Sequence, residues 1–182
     1  MPKYYTGIGS RETPPEILQA METVANWCAI EGVILRSGAA DGADSAFEKG
    51  CDAVQGEKEI YIPWNNFHGR SVREEGVYSR GSDQNSSAIA YTLHPVFSNL
   101  SVGAQLLHTR NVNQVLGKDA SNPELSHFLV YYAPRTRAGA VKGGTATAVK
   151  LAESRGVPCW NLWDNSDLAE LRGWVNEQFE RE

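Results

Sequence analysis

Short apolar runs alternate with stretches of helical spacing through roughly the first 60 residues. Tyr4-Tyr5-Thr6-Gly7-Ile8 reads as a buried strand that runs straight into Gly9-Ser10-Arg11. A helix follows from Pro14-Pro15-Glu16, since proline is tolerated in a first turn. Ile17, Met21, Val24 and Cys28 share one face of it, widened by Leu18, Ala25 and Trp27. Gly32 ends that helix, and Val33-Ile34-Leu35 forms the second strand. The chain then enters Ser37-Gly38-Ala39-Ala40-Asp41-Gly42-Ala43-Asp44 and a second helix with Ala43, Ala46, Phe47 and Cys51 inward. Glu59-Ile60-Tyr61-Ile62-Pro63 is a third strand closed by proline. Three such strand–helix steps predict a parallel sheet with right-handed crossovers.

Residues 64–83 break the pattern. They are polar, aromatic and glycine-containing, and a loop this long in a compact domain is either functional or conceals a regular element. Residues 85–93 and 100–116 read as helices separated by Pro95. His127 to Tyr132 is another buried strand, and a turn runs from Ala133 to Lys142. Gly143-Gly144-Thr145 opens a helix to about Ser154. Val157 to Leu162 is a last strand, and from Ser166 an amphipathic helix carries Leu168, Leu171, Val175 and Phe179 on one side. No repeat or composition break marks a boundary. The expectation is one α/β domain over residues 1–182, with a Rossmann-like, open, mostly parallel sheet flanked by helices.

Charge narrows the partners. The formal net charge is -5, whereas a nucleic-acid binder usually carries a basic footprint. Arg70, Arg73 and Arg80 lie close enough in sequence for a local basic patch, so a nucleic-acid partner is disfavoured without being excluded. A small anion needs only a few donors and one helix terminus. Cys28, Cys51 and Cys159 form no CxxC pair and read as small buried hydrophobes. No apolar run is long enough to span a membrane and no signal segment opens the chain, so a cytoplasmic location is expected.

Three glycine-bearing segments end strands and open helices: Gly7-Ile8-Gly9-Ser10-Arg11, Ser37 to Asp44, and Lys142-Gly143-Gly144-Thr145. In an open parallel sheet these positions lie at the carboxyl edge, where ligands bind. There glycine admits close backbone approach, hydroxyls add donors and Arg11 adds a charged fork. Neither GxxxxGK[ST] nor GxGxxG is present, so ATPase and dinucleotide chemistry are not expected, and no cofactor is. Asp41 and Asp44 suit either helix capping or contact with a ribose hydroxyl. Arg110, beside Asn111, suits either a ligand phosphate or an ion pair at the core edge. Trp64, Phe67, Tyr78 and Tyr91 flank the arginines of the middle region, as base stacking or an oligomer interface would require. The four histidines lack metal-ligand spacing, and no catalytic residue or metal site is assigned. Glu74 and Glu75 suit either a general acid or base or, as charged pairs in a loop usually do, a solvated face.

Gly7-Ile8-Gly9-Ser10-Arg11 and Leu35 to Asp44 resemble the first two motifs of the DNA-processing protein A (Smf) and lysine-decarboxylase-like superfamily, also called SLOG. Ser37, Gly38, Ala40, Gly42 and Asp44 match the small and acidic positions of the second motif, and Gly143-Gly144-Thr145 resembles the later phosphate-binding turn. The resemblance implies a Rossmann-like sheet and one of three activities. The first is binding or sequestering a nucleotide-derived signal, as suits small stand-alone members found in phages. The second is phosphoribohydrolase (N-glycosidase) action on nucleoside monophosphates. The third is single-stranded DNA binding in recombination. The hydrolases carry a P-G-G-x-G-T-x-x-E pattern whose proline, second-turn glycine and glutamate are missing here. The ligand-binding expectation rests on Gly9, Ser10, Arg11, Ser37, Gly38, Ala39, Asp41, Asp44, Arg110, Gly143, Gly144 and Thr145. A homo-oligomer is expected, because exposed aromatics need a partner and pockets of this fold often form at subunit edges.

Overall fold

The structure, a computed structural model, describes residues 1–180. Six strands, β1 (Lys3–Gly9), β2 (Val33–Ser37), β3 (Lys58–Ile62), β4 (Val77–Ser79), β5 (Phe128–Tyr132) and β6 (Cys159–Asn161), form one sheet in the order β4-β3-β2-β1-β5-β6. Every adjacent pair is parallel. Six helices cover it: α1 (Pro15–Ile30), α2 (Ala43–Asp52), α3 (Gln84–Leu93), α4 (Val102–Leu116), α5 (Thr145–Ser154) and α6 (Leu168–Glu180). The expected Rossmann-like α/β architecture is therefore present, with an all-parallel sheet.

The strand faces explain the layers. Side chains alternate along a strand, and β5 sends Phe128, Val130 and Tyr132 into one apolar cluster and Leu129 and Tyr131 into another. The first cluster is roofed by α1, α2 and α6, through Met21, Val24, Phe47, Leu171 and Val175. The second is roofed by α3, α4 and α5, through Ala90, Val112, Val115, Ala148 and Leu151. On α6, Leu171 and Val175 are buried while Leu168 and Phe179 pack half-buried beside them, as the heptad-like spacing predicts. Asp83 caps α3 through Ser86 N–H (2.7 Å), and Ser101 caps α4 through Ala104 N–H (3.2 Å), which moves the start of α4 two residues past the expected position.

The segment read as one long loop contains a strand. Val77-Tyr78-Ser79 pairs with β3 in the register Ile60↔Val77, at the sheet edge. Three residues are too few to show a period of two. Cys28 and Cys51 are buried and Cys159 half-buried; all three are free thiols, and burial raises the pKa of each.

β2 buries a charge. Arg36 is 1% exposed and its Nε donates to Glu59 Oε2 at 2.9 Å. Tyr61 Oη donates to the same oxygen at 2.6 Å, and the guanidinium lies 3.8 Å above the Tyr4 ring. A further guanidinium N–H goes to the Glu124 carbonyl, which closes the segment after α4 against the sheet.

Candidate functional site

β2, β3 and β4 run outward on one side of β1, and β5 and β6 lie on the other. The strand order therefore reverses between β1 and β5, where an open parallel sheet leaves a crevice at its carboxyl edge. A cavity of about 210 Å³ lies at that edge.

Three turns and one helix build it. Ser10 N–H still pairs with Tyr132 O at 2.9 Å, so the first turn begins on the β1–β5 seam. The second turn leans on the first: Ala43 N–H donates to Ser10 O at 3.3 Å. Gly42, at φ +79°, has no room for a Cβ, which would fall 2.7 Å from the carbonyl oxygens of Ser10 and Arg11. The third turn, Lys142 to Gly144, leads into α5, whose start has no side-chain cap and lines the cavity through Gly144 and Thr145. Across from these turns, α4 presents Leu107, Arg110, Asn111 and Gln114, a stripe at i, i+3, i+4 and i+7.

Arg110 ties these parts together. Its Nη1 donates to Gly38 O at 2.6 Å and to Tyr61 O at 2.7 Å, holding the ends of β2 and β3. Its Nε donates to Asn111 Oδ1 at 2.7 Å, and Asn111 Nδ2 donates to Gly144 O at 3.0 Å. One helix thus sets the spacing between the second and third turns. Burial lowers the Arg110 pKa to about 10, against the opposing charge of Asp44. Asp44 accepts from Ala40 N–H and is raised to about 6 by burial, with Arg110 pulling the other way. The lining carries three cations, Arg11, Arg110 and Lys142, and the single carboxylate of Asp44.

Eight of the expected residues line the cavity: Gly9, Ser10, Arg11, Asp44, Arg110, Gly143, Gly144 and Thr145. Ser37, Gly38 and Ala39 lie behind it. Ser37 Oγ donates to Gly7 O at 2.7 Å and locks β1 to β2, while Ala39 packs near Phe67. Asp41 is exposed and faces His68, with Oδ1 3.4 Å from Nδ1. Neither aspartate caps α2, whose N-cap is Gly42 with no side-chain bond. Ile8, Ala40 and Lys142, which also line the cavity, belong to the three expected segments without having been singled out as ligand residues, whereas Leu107, Asn111 and Gln114 on α4 were not among the expected residues. The i, i+3, i+4, i+7 stripe on α4 was the available signal, obscured because three of its members are polar.

The other candidates lie elsewhere. Glu74 pairs with Arg70 at 3.0 Å on an exposed face, and Arg70 also clamps Glu48. Arg80 Nε donates to Lys118 O at 3.0 Å. Two of the three clustered arginines are thus engaged within the chain. His108 Nδ1 is 2.8 Å from Thr147 Oγ1, and its ring contacts that of His94. No group of three potential metal ligands occurs among the described residues. Among the described residues no aromatic side chain lines the cavity, and no described helix is long and apolar enough to cross a membrane.

The buried carboxylate gives the site a pH dependence with a definite sign. Asp44 is ionised above about pH 6 and neutral below it. Its folded pKa exceeds the ordinary 3.8, so its contribution to stability grows as pH falls through 6 toward 4. The same protonation removes the cavity's negative charge. Sulfate, which does not titrate in this range, is expected to bind about three- to tenfold more tightly at pH 5 than at pH 8. Asp44→Asn should flatten that profile in a calorimetric titration.

No sequence-family model and no curated protein matches this chain. Solved structures do. DNA processing protein A from Helicobacter pylori, described with a single-stranded DNA binding mode, matches with TM-score 0.53 at 15% identity, over 88% of this chain and 65% of that one. The molybdenum cofactor binding protein from Rippkaea orientalis matches with TM-score 0.53 at 14% identity, over 98% and 85%. The Moco carrier protein of Chlamydomonas rheinhardtii matches with TM-score 0.52 at 17% identity, over 90% and 77%. This chain spans just under two thirds of the Helicobacter protein. At such identities the likeness is one of fold. This chain has the Rossmann-like fold shared by DNA processing protein A and the molybdenum cofactor carrier proteins.

Proposed function

We propose that this protein binds, and by binding sequesters, a phosphate-bearing nucleotide or nucleotide-derived molecule. One observation carries the reading. At the strand-order reversal, Arg11, Arg110 and Lys142 meet the uncapped start of α5 around one small cavity with a single carboxylate. Cations and free helix N–H groups at one point favour an anion. Lys142→Ala, which removes an exposed charge and no packing, is expected to weaken nucleoside monophosphate binding about tenfold with the fold intact, as isothermal titration will read.

Native mass spectrometry of the purified protein, followed by denaturation and identification of the released molecule, tests the reading. Retention of a phosphate-bearing molecule at one per chain supports it. Release of a non-phosphorylated ligand contradicts it. The same spectrum gives the subunit number, which we propose to be greater than one, and would reveal a molybdenum cofactor or DNA fragment of the kind named for the structural neighbours.

A second reading has one observation in its favour. Asp44, buried at the cavity with its pKa raised to about 6, suits a carboxylate that supports N-glycosidic cleavage. Incubation with nucleoside 5′-monophosphates would then release free base, and Asp44→Asn would abolish it. The single-stranded DNA reading gains nothing similar: the cavity has no aromatic wall, and Arg70 and Arg80 bond within the chain.

A further inference from the structure

Gln114 sits at the floor of the cavity and is 2% exposed. Its backbone carbonyl accepts from Thr6 Oγ1. Its carboxamide makes no hydrogen bond to any described residue, yet neither amide atom is among the sealed unpartnered atoms, of which Tyr5 Oη is the one case. The amide therefore opens onto the cavity. A buried polar group in this state is costly until something pairs with it.

The charges are layered. Arg11 and Lys142 are exposed, at the rim, while Arg110 and Asp44 are buried, at the floor, and offset one another. A Cβ placed on Gly38 would lie 2.3 Å from Gln114 Nε2 and 2.8 Å from both Asp44 Oδ2 and Arg110 Nη1, so amide, carboxylate and guanidinium sit side by side against the Gly38 backbone, at the back of the cavity that Gln114, Asp44 and Arg110 line. The rim suits a dianion. The floor offers an acceptor carboxylate and an amide with both a donor and an acceptor, whichever way the amide is turned. That set matches neutral hydroxyl groups. The apolar lining is limited to Ile8, Ala40 and Leu107, with no ring to stack on a base, and about 210 Å³ is below the usual range for a pocket enclosing a whole drug-sized ligand.

We propose that the cavity encloses the ribose phosphate of its ligand, with Gln114 and Asp44 reading the sugar hydroxyls and the base left at the mouth. This rests on the phosphate-binding reading above. Gln114 is then the residue that separates ribose from deoxyribose, and the protein is indifferent to the base.

The test is calorimetric titration of the whole chain with inorganic phosphate, ribose 5-phosphate, 2-deoxyribose 5-phosphate and the four ribonucleoside 5′-monophosphates. Ribose 5-phosphate should bind about tenfold more tightly than its deoxy analogue, and the four nucleotides should agree within about threefold. Gln114→Leu should bring the two sugar phosphates level. Gln114→Met, close in shape to glutamine, serves the same purpose if the leucine variant misfolds. Equal binding of the two sugars by the unaltered protein overturns the assignment, as does a preference that survives in either folded variant or a base discrimination above about tenfold. Failure of every phosphate, inorganic phosphate included, overturns the phosphate-binding reading itself.

Discussion

Glu59→Ala is expected to lower unfolding free energy by about 3–5 kcal/mol, a large fraction of what a domain of this size possesses. The cause is what it leaves behind. Arg36 is 1% exposed and Glu59 is its carboxylate partner at 2.9 Å, with Tyr61 Oη on the same oxygen. Alanine would strand a guanidinium and a phenol in a sealed space. Lys118 Nζ, 3.5 Å from Glu59 Oε1 at the edge, would lose its carboxylate and keep only Tyr78. The pair as a whole need not be favourable, since two desolvated charges offset much of their attraction. Arg36→Met combined with Glu59→Leu should therefore recover most of the loss. Urea unfolding of the single and double variants checks both statements. A cost below about 1 kcal/mol for Glu59→Ala would show that Arg36 finds water or another partner.

Gly38→Ala is expected to abolish detectable ligand binding, at least about 100-fold, while costing about 1–3 kcal/mol of stability. Gly38 has ordinary backbone torsions, so the argument is one of space. An added Cβ would meet Gln114 Nε2 at 2.3 Å, Arg110 Nη1 at 2.8 Å and Asp44 Oδ2 at 2.8 Å. All three are ends of buried side chains, and all three must move. Moving Arg110 breaks its bonds to Gly38 O and Tyr61 O and slackens the Asn111 link to the α5 turn. Binding isotherms and thermal unfolding of the variant separate the two effects. Near-normal affinity would mean that these three groups do not shape the ligand site.

The fold was largely legible because its strands are buried on both faces. β1, β2 and β5 read as apolar runs bounded by glycine or polar turns, and α1 shows its stripe openly. β4 was not legible, since an edge strand of three residues held by its register with Ile60 leaves no pattern. The glycine turns of the site were legible as breaks between strand and helix, and their causes differ: backbone crowds Gly9 and Gly42, buried side chains crowd Gly38, Gly143 holds a positive φ, and Gly144 has open space around it. Asp41 and Asp44 looked alike in sequence. The positive φ at Gly42 separates them, leaving Asp41 in solvent beside His68 while Asp44 enters the cavity as the first turn of α2 closes. Arg110 was visible as a charge in an otherwise mixed helix. Gln114 was not, because an amide on a helix reads as a surface residue until its burial is known.

The most direct test of the central claim is a two-dimensional amide NMR titration of the isotopically labelled protein with adenosine 5′-monophosphate. Saturable shifts are expected at Gly9–Arg11, Ala40–Asp44 and Lys142–Thr145, at the carboxyl edge of β1 and β5. Shifts centred elsewhere, for instance on the exposed Tyr91 and Val96 surface, or none at millimolar ligand, would contradict it.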